Sequence, residues 1–209
     1  MLGDTPADSL ADAEEKELVR HLIHDWHWGS AVMSMFDCVP GSKFLPEVPL
    51  ASLGNSGDLD LLCASPSTSN EAVAVQFKVA KVRESTYYTL QPGKFQELPK
   101  LYRQTNELVQ LGFNRVFACL IVLIDGRTTP PEQPVVGGLT GELRSDIDRR
   151  ITLSGLSPQA GFLRVDLVQA PQAAPLTTGE IACHLLRPPS RQAQNETLTE
   201  WVAHHVAAA

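Results

Sequence analysis

Four polar residues stand inside two apolar runs of the sequence, at spacings that could bring them together. The first run, GDLDLL, carries Asp58 and Asp60, and the second, AVAVQFKVAKV, carries Gln76 and Lys78. Mg²⁺ binds carboxylate and amide oxygens, and one or two carboxylates usually suffice because water and phosphate complete its ligand shell. A lysine beside such a site can orient an attacking water or neutralise charge on a phosphate. The chemistry that needs this set of side chains is phosphodiester hydrolysis.

The two runs are predicted to be the strands of a hairpin, because the polar, turn-forming segment SPSTSNE joins them. Side chains alternate along a strand, so Asp58 and Asp60 share one face, as do Gln76 and Lys78 on the next strand. The simplest register places Asp60 opposite Gln76 and Asp58 opposite Lys78, with Cβ atoms about 5 Å apart. The alternative is a charged, solvated hairpin face with an Asp58–Lys78 cross-strand ion pair.

The elements around the hairpin predict a layered α/β domain. Apolar residues at spacings of three and four between about residues 8 and 28 predict an amphipathic helix that ends at Gly29. The segment KFLPEVPL predicts an edge strand, since proline cannot donate a ladder hydrogen bond. After the hairpin, KFQELPKLYRQTNELVQLG predicts a helix and RVFACLIVLID a central strand that is buried on both faces.

Beyond Asp125 the periodicity is weaker and still predicts helices and strands. LTGELRSDIDRRI is predicted to be helical, GFLRVDLVQA and GEIACHLLR to be strands, and ETLTEWVAHHV to be a closing helix. We therefore expect a core at residues 1–125 and a mixed α/β extension at residues 126–209 that packs on the same domain.

Charge and composition exclude several classes of protein. A net charge of −7 argues against a protein coated in positive potential. The acidic N-terminus does not resemble a secretory signal, and the longest apolar run, Val116 to Ile124, is too short to span a bilayer. We expect a cytoplasmic protein without a membrane role, with reduced, buried thiols at four widely spaced cysteines: Cys38, Cys63, Cys119 and Cys183.

The segment between Gln76 and Gln104 is basic, although the chain as a whole is acidic. A solvated charged face is one explanation, and a surface for nucleic acid is the other. On the second interpretation the contacts are made by Lys81, Arg83, Lys94 and Arg103.

The hairpin strands resemble the core of the PD-(D/E)xK nuclease superfamily, whose pattern is an Asp that opens one strand and Glu-x-Lys on the next. GDLDLL is similar to the GEIDLI of the resolvase-like branch, and VQFK resembles the Gln-x-Lys variant of Mrr-type restriction nucleases. The predicted order of elements is the αβββαβ order of the restriction-endonuclease-like fold that this family implies. The resemblance covers about residues 10 to 125.

The resemblance implies a role for each polar residue of the hairpin. Asp60 would bind Mg²⁺ or Mn²⁺, and Lys78 would be the catalytic lysine. Gln76 stands where most members of the family have a carboxylate, and an amide oxygen binds a hard cation more weakly. Asp58, on the same face as Asp60, could restore the missing negative charge.

Two helices supply further candidates that the resemblance implies. The family often adds a metal-binding acid from the first helix, and Glu15 lies on the apolar stripe that faces the sheet, with Glu14 as the second choice. In the next helix, Tyr102 and Gln104 are similar to residues with which some members contact substrate, and packing and solvation are the alternative explanation for both.

We expect a metal-dependent nuclease that hydrolyses phosphodiester bonds in DNA, and the resemblance associates such enzymes with defence or repair. The alternative is a catalytically degenerate nuclease fold that acts as a nucleic-acid-binding or protein-interaction subunit. Gln76 and the net acidity favour this alternative. Nucleic acid is the expected partner in the first case, and a second copy or a partner subunit remains open in both.

Overall fold

The computed structural model describes residues 13–24, 26–82, 95–125, 141–169 and 179–209. The helices within these residues are α1 (Glu15–His24), α2 (Trp26–Ser34), α3 (Leu98–Leu111), α4 (Gly141–Arg150) and α5 (Glu196–Ala208). The strands are β1 (Lys43–Pro49), β2 (Asp58–Ala64), β3 (Val73–Val82), β4 (Arg115–Asp125), β5 (Gly161–Gln169) and β6 (Gly179–Arg187). The order of helices and strands through β4 is the predicted one, apart from the division of the first helix.

The strands form one six-stranded mixed sheet, in the order β1 to β6. The neighbours β1, β2 and β3 are antiparallel, β3, β4 and β5 are parallel, and β6 is antiparallel to β5. The predicted α/β class is confirmed, and β5 and β6 of the extension continue the sheet that β1 to β4 begin. The proline-containing strand β1 lies at the edge, as its sequence predicts.

Helices cover both faces of the sheet. One apolar cluster packs α3 and α5 against the sheet, and the other packs α1 and α2 against the opposite face. Strand β4 contributes alternate residues to the two clusters, so its apolar run is buried on both sides as predicted. Helix α3 ends where Gly112 adopts φ 89°, a conformation that favours glycine. None of the helices in the described residues is long and apolar enough to cross a membrane.

The first predicted helix is divided into α1 and α2, and the prediction that it ends at Gly29 was wrong, because Gly29 lies inside α2. The predicted buried stripe is present in α1, where Leu18, Val19 and Leu22 are buried. A Cβ atom on Gly29 would clash with the backbone carbonyl oxygen of Leu22. The glycine therefore allows the backbone of α2 to approach α1 closely.

We predict that Gly29→Ala lowers the free energy of unfolding, although alanine favours a helix over glycine by about 1 kcal/mol. The new methyl group must displace the backbone of Leu22, and overpacking of this kind costs roughly 1–3 kcal/mol. Urea denaturation of the variant, compared with Ser30→Ala at the exposed neighbouring position, measures the difference. A Gly29→Ala protein as stable as the wild type would contradict the close approach of the two helices.

Candidate active site

Strands β2 and β3 pair over only a short distance. Their paired residues are Leu61 with Val75, Leu62 with Ala74 and Cys63 with Val73. This is the predicted register, but the ladder does not continue to the polar residues, whereas β3 pairs with β4 along its whole length. We call the gap between Asp58–Asp60 of β2 and Gln76–Val79 of β3 the strand fork.

Gln76 bridges the strand fork with its side chain. Its Oε1 accepts a hydrogen bond from the backbone N–H of Asp60 at 3.1 Å, and its Nε2 donates to the carbonyl oxygen of Asp58 at 3.3 Å. The side chain is buried, with 4% of its surface exposed. The amide thus replaces backbone hydrogen bonds that the separated strands no longer make. A carboxylate at this position could not make the donation to Asp58.

Two carboxylates satisfy the backbone N–H groups that β3 presents to the strand fork. Asp60 Oδ2 accepts from the N–H of Phe77 at 2.7 Å, and Glu15 Oε2 accepts from the N–H of Val79 at 2.9 Å. Asp60 comes from β2 and Glu15 from the first turn of α1. The structure therefore brings Glu15 to Asp60, as the helical stripe predicts.

The pKa of the Asp60 carboxyl group is raised to about 6, mainly because the group is buried. The hydrogen bond from the Phe77 N–H lowers this pKa, and the negative charge of Glu15 raises it further. The charges of Lys78 and Lys16 lower the pKa by smaller amounts. The ionised form is therefore costly, and a cation bound between Asp60 and Glu15 would offset that cost.

Lys78 lies between carboxylates from two helices. Its Nζ is 3.3 Å from Glu15 Oε2 and 2.8 Å from Oε2 of Glu97, the residue before α3. Burial lowers the pKa of Lys78, but the hydrogen bonds and charges of Glu97 and Glu15 outweigh it and raise the pKa above its ordinary value. Lys78 is therefore a cation at neutral pH and can neutralise negative charge, but it cannot accept a proton from water.

Sequence reasoning missed Glu97. Its signal is an acidic residue at the start of a predicted helix inside an otherwise basic segment, a position that is ordinarily explained by the helix dipole. Its contact with Lys78 joins residues that are far apart in the chain. The predicted alternative, an ion pair between Lys78 and Asp58, is replaced by the pairs with Glu15 and Glu97, and Asp58 is exposed.

Glu14, the second choice for the helix acid, precedes α1 and is exposed. Its backbone N–H donates to the Glu17 carboxylate at 2.8 Å. A narrow cleft beside the strand fork is lined by Asp60, Glu15 and their neighbours Lys16, Val19, Pro46 and Glu47. Lys16 Nζ lies 2.7 Å from Glu47, so an ion pair borders this cleft.

The predicted nucleic-acid contacts are dispersed. Lys81 donates to the carbonyl oxygen of Ala13 at 2.6 Å, beside the start of α1. Tyr102 is buried and its ring packs edge-on against Phe162, which agrees with the packing alternative. Arg103 is exposed and lines a groove between α3 and the turn at Leu153–Gly155. Two further predicted contacts lie outside the described residues: Arg83 and Lys94.

The ligand set for a metal is small. Within the described residues, no group of three or more His, Cys, Asp or Glu side chains could hold a metal ion. The strand fork supplies two carboxylates, Asp60 and Glu15, and Asp60 Oδ1 accepts no hydrogen bond from the described part of the chain. Two carboxylates fit Mg²⁺, which ordinarily keeps several waters and binds substrate phosphate.

Comparisons with known proteins add little. No family model and no curated protein matches the chain. A similar solved structure, "The structure of Pyrococcus Furiosus SfsA in complex with Ca2+", has 14% sequence identity and a TM-score of 0.31. The match covers 84% of this chain and 61% of that chain, so this chain spans about three fifths of the length of that protein. This TM-score is too low to assign a fold family.

We predict that Asp60→Asn stabilises the protein at pH 8. The folded pKa of about 6 exceeds the ordinary value of 3.8, so the folded state binds the proton more tightly and the wild type loses stability as pH rises from 3.8 to about 6. The asparagine carries no charge and retains an oxygen for the Phe77 N–H. The gain is about 3 kcal/mol at pH 8 and disappears below pH 4.

Denaturant unfolding of the two proteins at pH 4 and pH 8 checks this prediction. Asp58→Asn, which removes an exposed carboxylate two residues away, is the matched control and should leave the stability nearly unchanged. An Asp60→Asn protein that is less stable than the wild type at pH 8 would show that the ionised carboxylate of Asp60 does not destabilise the fold.

Proposed function

We propose that the protein is a metal-dependent nuclease of the PD-(D/E)xK type that hydrolyses phosphodiester bonds in DNA. The observation that carries the proposal is the convergence of Asp60, Glu15 and Lys78 in the strand fork, from β2, α1 and β3. These are the elements that the sequence resemblance assigns to a metal-binding aspartate, a helix acid and a catalytic lysine.

In this proposal Asp60 and Glu15 hold Mg²⁺ or Mn²⁺. The ion, when bound, polarises a phosphate oxygen and lowers the pKa of a bound water. Asp60 and Glu15 each keep one oxygen on a backbone N–H of β3, which fixes the direction of both carboxylates. Their backbone contacts therefore orient the ligands before substrate arrives.

Lys78 supplies positive charge to the reacting phosphate. Neutralising Glu15 by a cation would weaken its attraction for Lys78, while Glu97 would still hold the ammonium group. Glu97 therefore acts as a positioning residue for Lys78. Because Lys78 is protonated, its contribution is to stabilise negative charge that develops on the phosphate in the transition state.

Gln76 has a different role in this proposal from the one that the sequence resemblance implies. Both polar atoms of its side chain bind the backbone of β2, at Asp60 and Asp58. These contacts support a positioning role that fixes the strand carrying Asp60. Ligation of a metal by Gln76 remains a prediction and would require the amide oxygen to leave the Asp60 N–H.

The choice of DNA, and the association with defence or repair, rest on the sequence resemblance. The basic segment supports a polyanionic partner, and Arg103 on the exposed side of α3 belongs to it. Arg83 and Lys94 remain predicted contacts.

The second candidate function is a catalytically degenerate module that binds nucleic acid or a protein. The observation that favours it is that Gln76 uses its oxygen within the fold, which leaves two carboxylates in the strand fork. Both of these carboxylates also satisfy backbone groups. The need of the Phe77 and Val79 N–H groups for hydrogen-bond acceptors would by itself account for the positions of Asp60 and Glu15.

We predict that purified protein cleaves supercoiled plasmid or short DNA duplexes with Mg²⁺ or Mn²⁺. Asp60→Asn and Lys78→Gln should each reduce the cleavage rate by about 100-fold or more, as for the loss of one preorganised charge-stabilising group. Lys43→Gln is the matched control, because Lys43 lies on the edge strand β1 and contacts Val206 of α5 at 3.0 Å. Equal rates in all variants would identify the activity as a contaminant.

We further predict that Mg²⁺ or Mn²⁺ raises the melting temperature by roughly 2–4 °C for each kcal/mol of linked binding. Glu15→Gln and Asp60→Asn should abolish this rise. Gln76→Glu should melt lower than the wild type without a divalent cation, because it loses the donation to Asp58 and adds buried charge. The cation should then stabilise this variant more than the wild type.

The melting experiment separates the two candidate functions. A cation-dependent rise in the wild type supports the nuclease. A rise in Gln76→Glu alone supports the degenerate module, since the site would then bind a cation only after a carboxylate is restored. Ca²⁺ serves as a further divalent probe, and Na⁺ at equal ionic strength controls for general salt effects.

A further inference from the structure

A second group of reactive side chains lies on the opposite end of the same strands. Cys63 of β2 pairs with Val73 of β3, and Val73 pairs with Arg115 of β4. These three residues form a row across the sheet. Cys63 and Val73 belong to the apolar cluster beneath α1 and α2, and Cys38 packs against this cluster from the turn that follows α2.

Arg115 fixes that turn over the row. Its Nη1 donates to the carbonyl oxygen of Asp37 at 2.6 Å and to the Asp37 carboxylate at 2.9 Å. Asp37 has φ 49°, a strained conformation for a residue with a side chain. Cys38 follows Asp37 directly, so the contacts of Arg115 hold Cys38 against the apolar cluster that contains Cys63.

Arg115 is a buried cation with unused donors. The residue is 2% exposed, and its Nε and Nη2 have no hydrogen-bond partner among the described residues. Buried donors without partners are costly. A thiolate on the neighbouring Cys38 is an anion that these donors could bind.

The two thiols differ in acidity. A hydrogen bond from Cys63 lowers the pKa of Cys38, burial opposes this effect, and the charge of Arg115 adds to the lowering. Burial is the main cause that raises the pKa of the Cys63 thiol well above its ordinary value. Cys38, which is also the more exposed of the two, is therefore the better nucleophile.

We propose that Cys38 and Cys63 form a peroxide-sensitive thiol pair, in which Cys38 reacts first and Cys63 resolves it to a disulfide. The Cys38 thiolate attacks one oxygen of hydrogen peroxide, the O–O bond breaks, and hydroxide leaves and takes up a proton as water. The product is a sulfenic acid on Cys38.

The Cys63 thiol then attacks the Cys38 sulfur. An S–S bond forms, the S–O bond breaks, and the hydroxyl group leaves as water with the Cys63 proton. Two thiols are oxidised by two electrons in all, and one peroxide is reduced to two waters. The disulfide would tie the end of α2 to β2, the strand that carries Asp60. This modification does not depend on the proposed nuclease activity.

The test is titration of the full-length protein with hydrogen peroxide, followed by alkylation under denaturing conditions and peptide mass spectrometry. We expect a Cys38–Cys63 linked peptide that dithiothreitol removes. In Cys63→Ser, Cys38 should stop at the sulfenic acid, which dimedone captures. Cys183→Ser, at the other half-buried cysteine, is the matched control and should still form the linked peptide.

The absence of a Cys38–Cys63 linkage in the wild type would overturn the proposal. Alkylation rates of the native wild type provide a test that no variant can confound by misfolding. At pH 7 Cys38 should react with iodoacetamide at least about tenfold faster than Cys183, since the thiolate is the nucleophile. Equal rates at the two cysteines would also overturn the proposal.

Discussion

The separation of β2 from β3 is the constraint on which the candidate site depends. Once the ladder ends at Leu61 and Val75, the N–H groups of Phe77 and Val79 need other acceptors, because unpaired backbone groups in a partly buried setting are costly. Continued pairing would meet this need with ordinary ladder bonds. The chain instead uses Asp60 and Glu15, although burial raises the pKa of Asp60. A buried carboxylate with a raised pKa, in a place where backbone hydrogen bonds between strands would suffice, is a feature expected of a functional site.

The strand fork also connects the two helical layers. Glu15 belongs to α1 on one face of the sheet, and Glu97 precedes α3 on the other. Lys78 contacts both, so its ammonium group lies at the junction of the layers. The carboxylates of Asp60, Glu15 and Glu97 therefore meet the Lys78 ammonium group at this junction, and the Lys16–Glu47 ion pair borders it. A cation bound between Asp60 and Glu15 would relieve the repulsion that raises the pKa of Asp60.

Period-two alternation and turn-forming residues were sufficient to predict the α/β class, the strands and the register of β2 with β3. They could not predict where that pairing ends, because the separation of two strands depends on the three-dimensional course of the whole sheet. The division of the first helix was missed for a similar reason: the apolar stripe continues past residue 24, and the close contact of Gly29 with Leu22 is not visible in a pattern. Glu97 was missed because its partner Lys78 lies on another element.

Gln76 shows how the fold and the proposed chemistry constrain each other. Its amide can accept from Asp60 and donate to Asp58 at once, whereas a glutamate could only accept. The amide therefore holds the strand fork without adding a further buried charge beside Asp60. A substrate phosphate would add oxygens to the two carboxylates of the site, so a bound divalent cation would be held more tightly once DNA is present. If the protein is a nuclease, cation and DNA should therefore bind cooperatively, with each raising the affinity for the other.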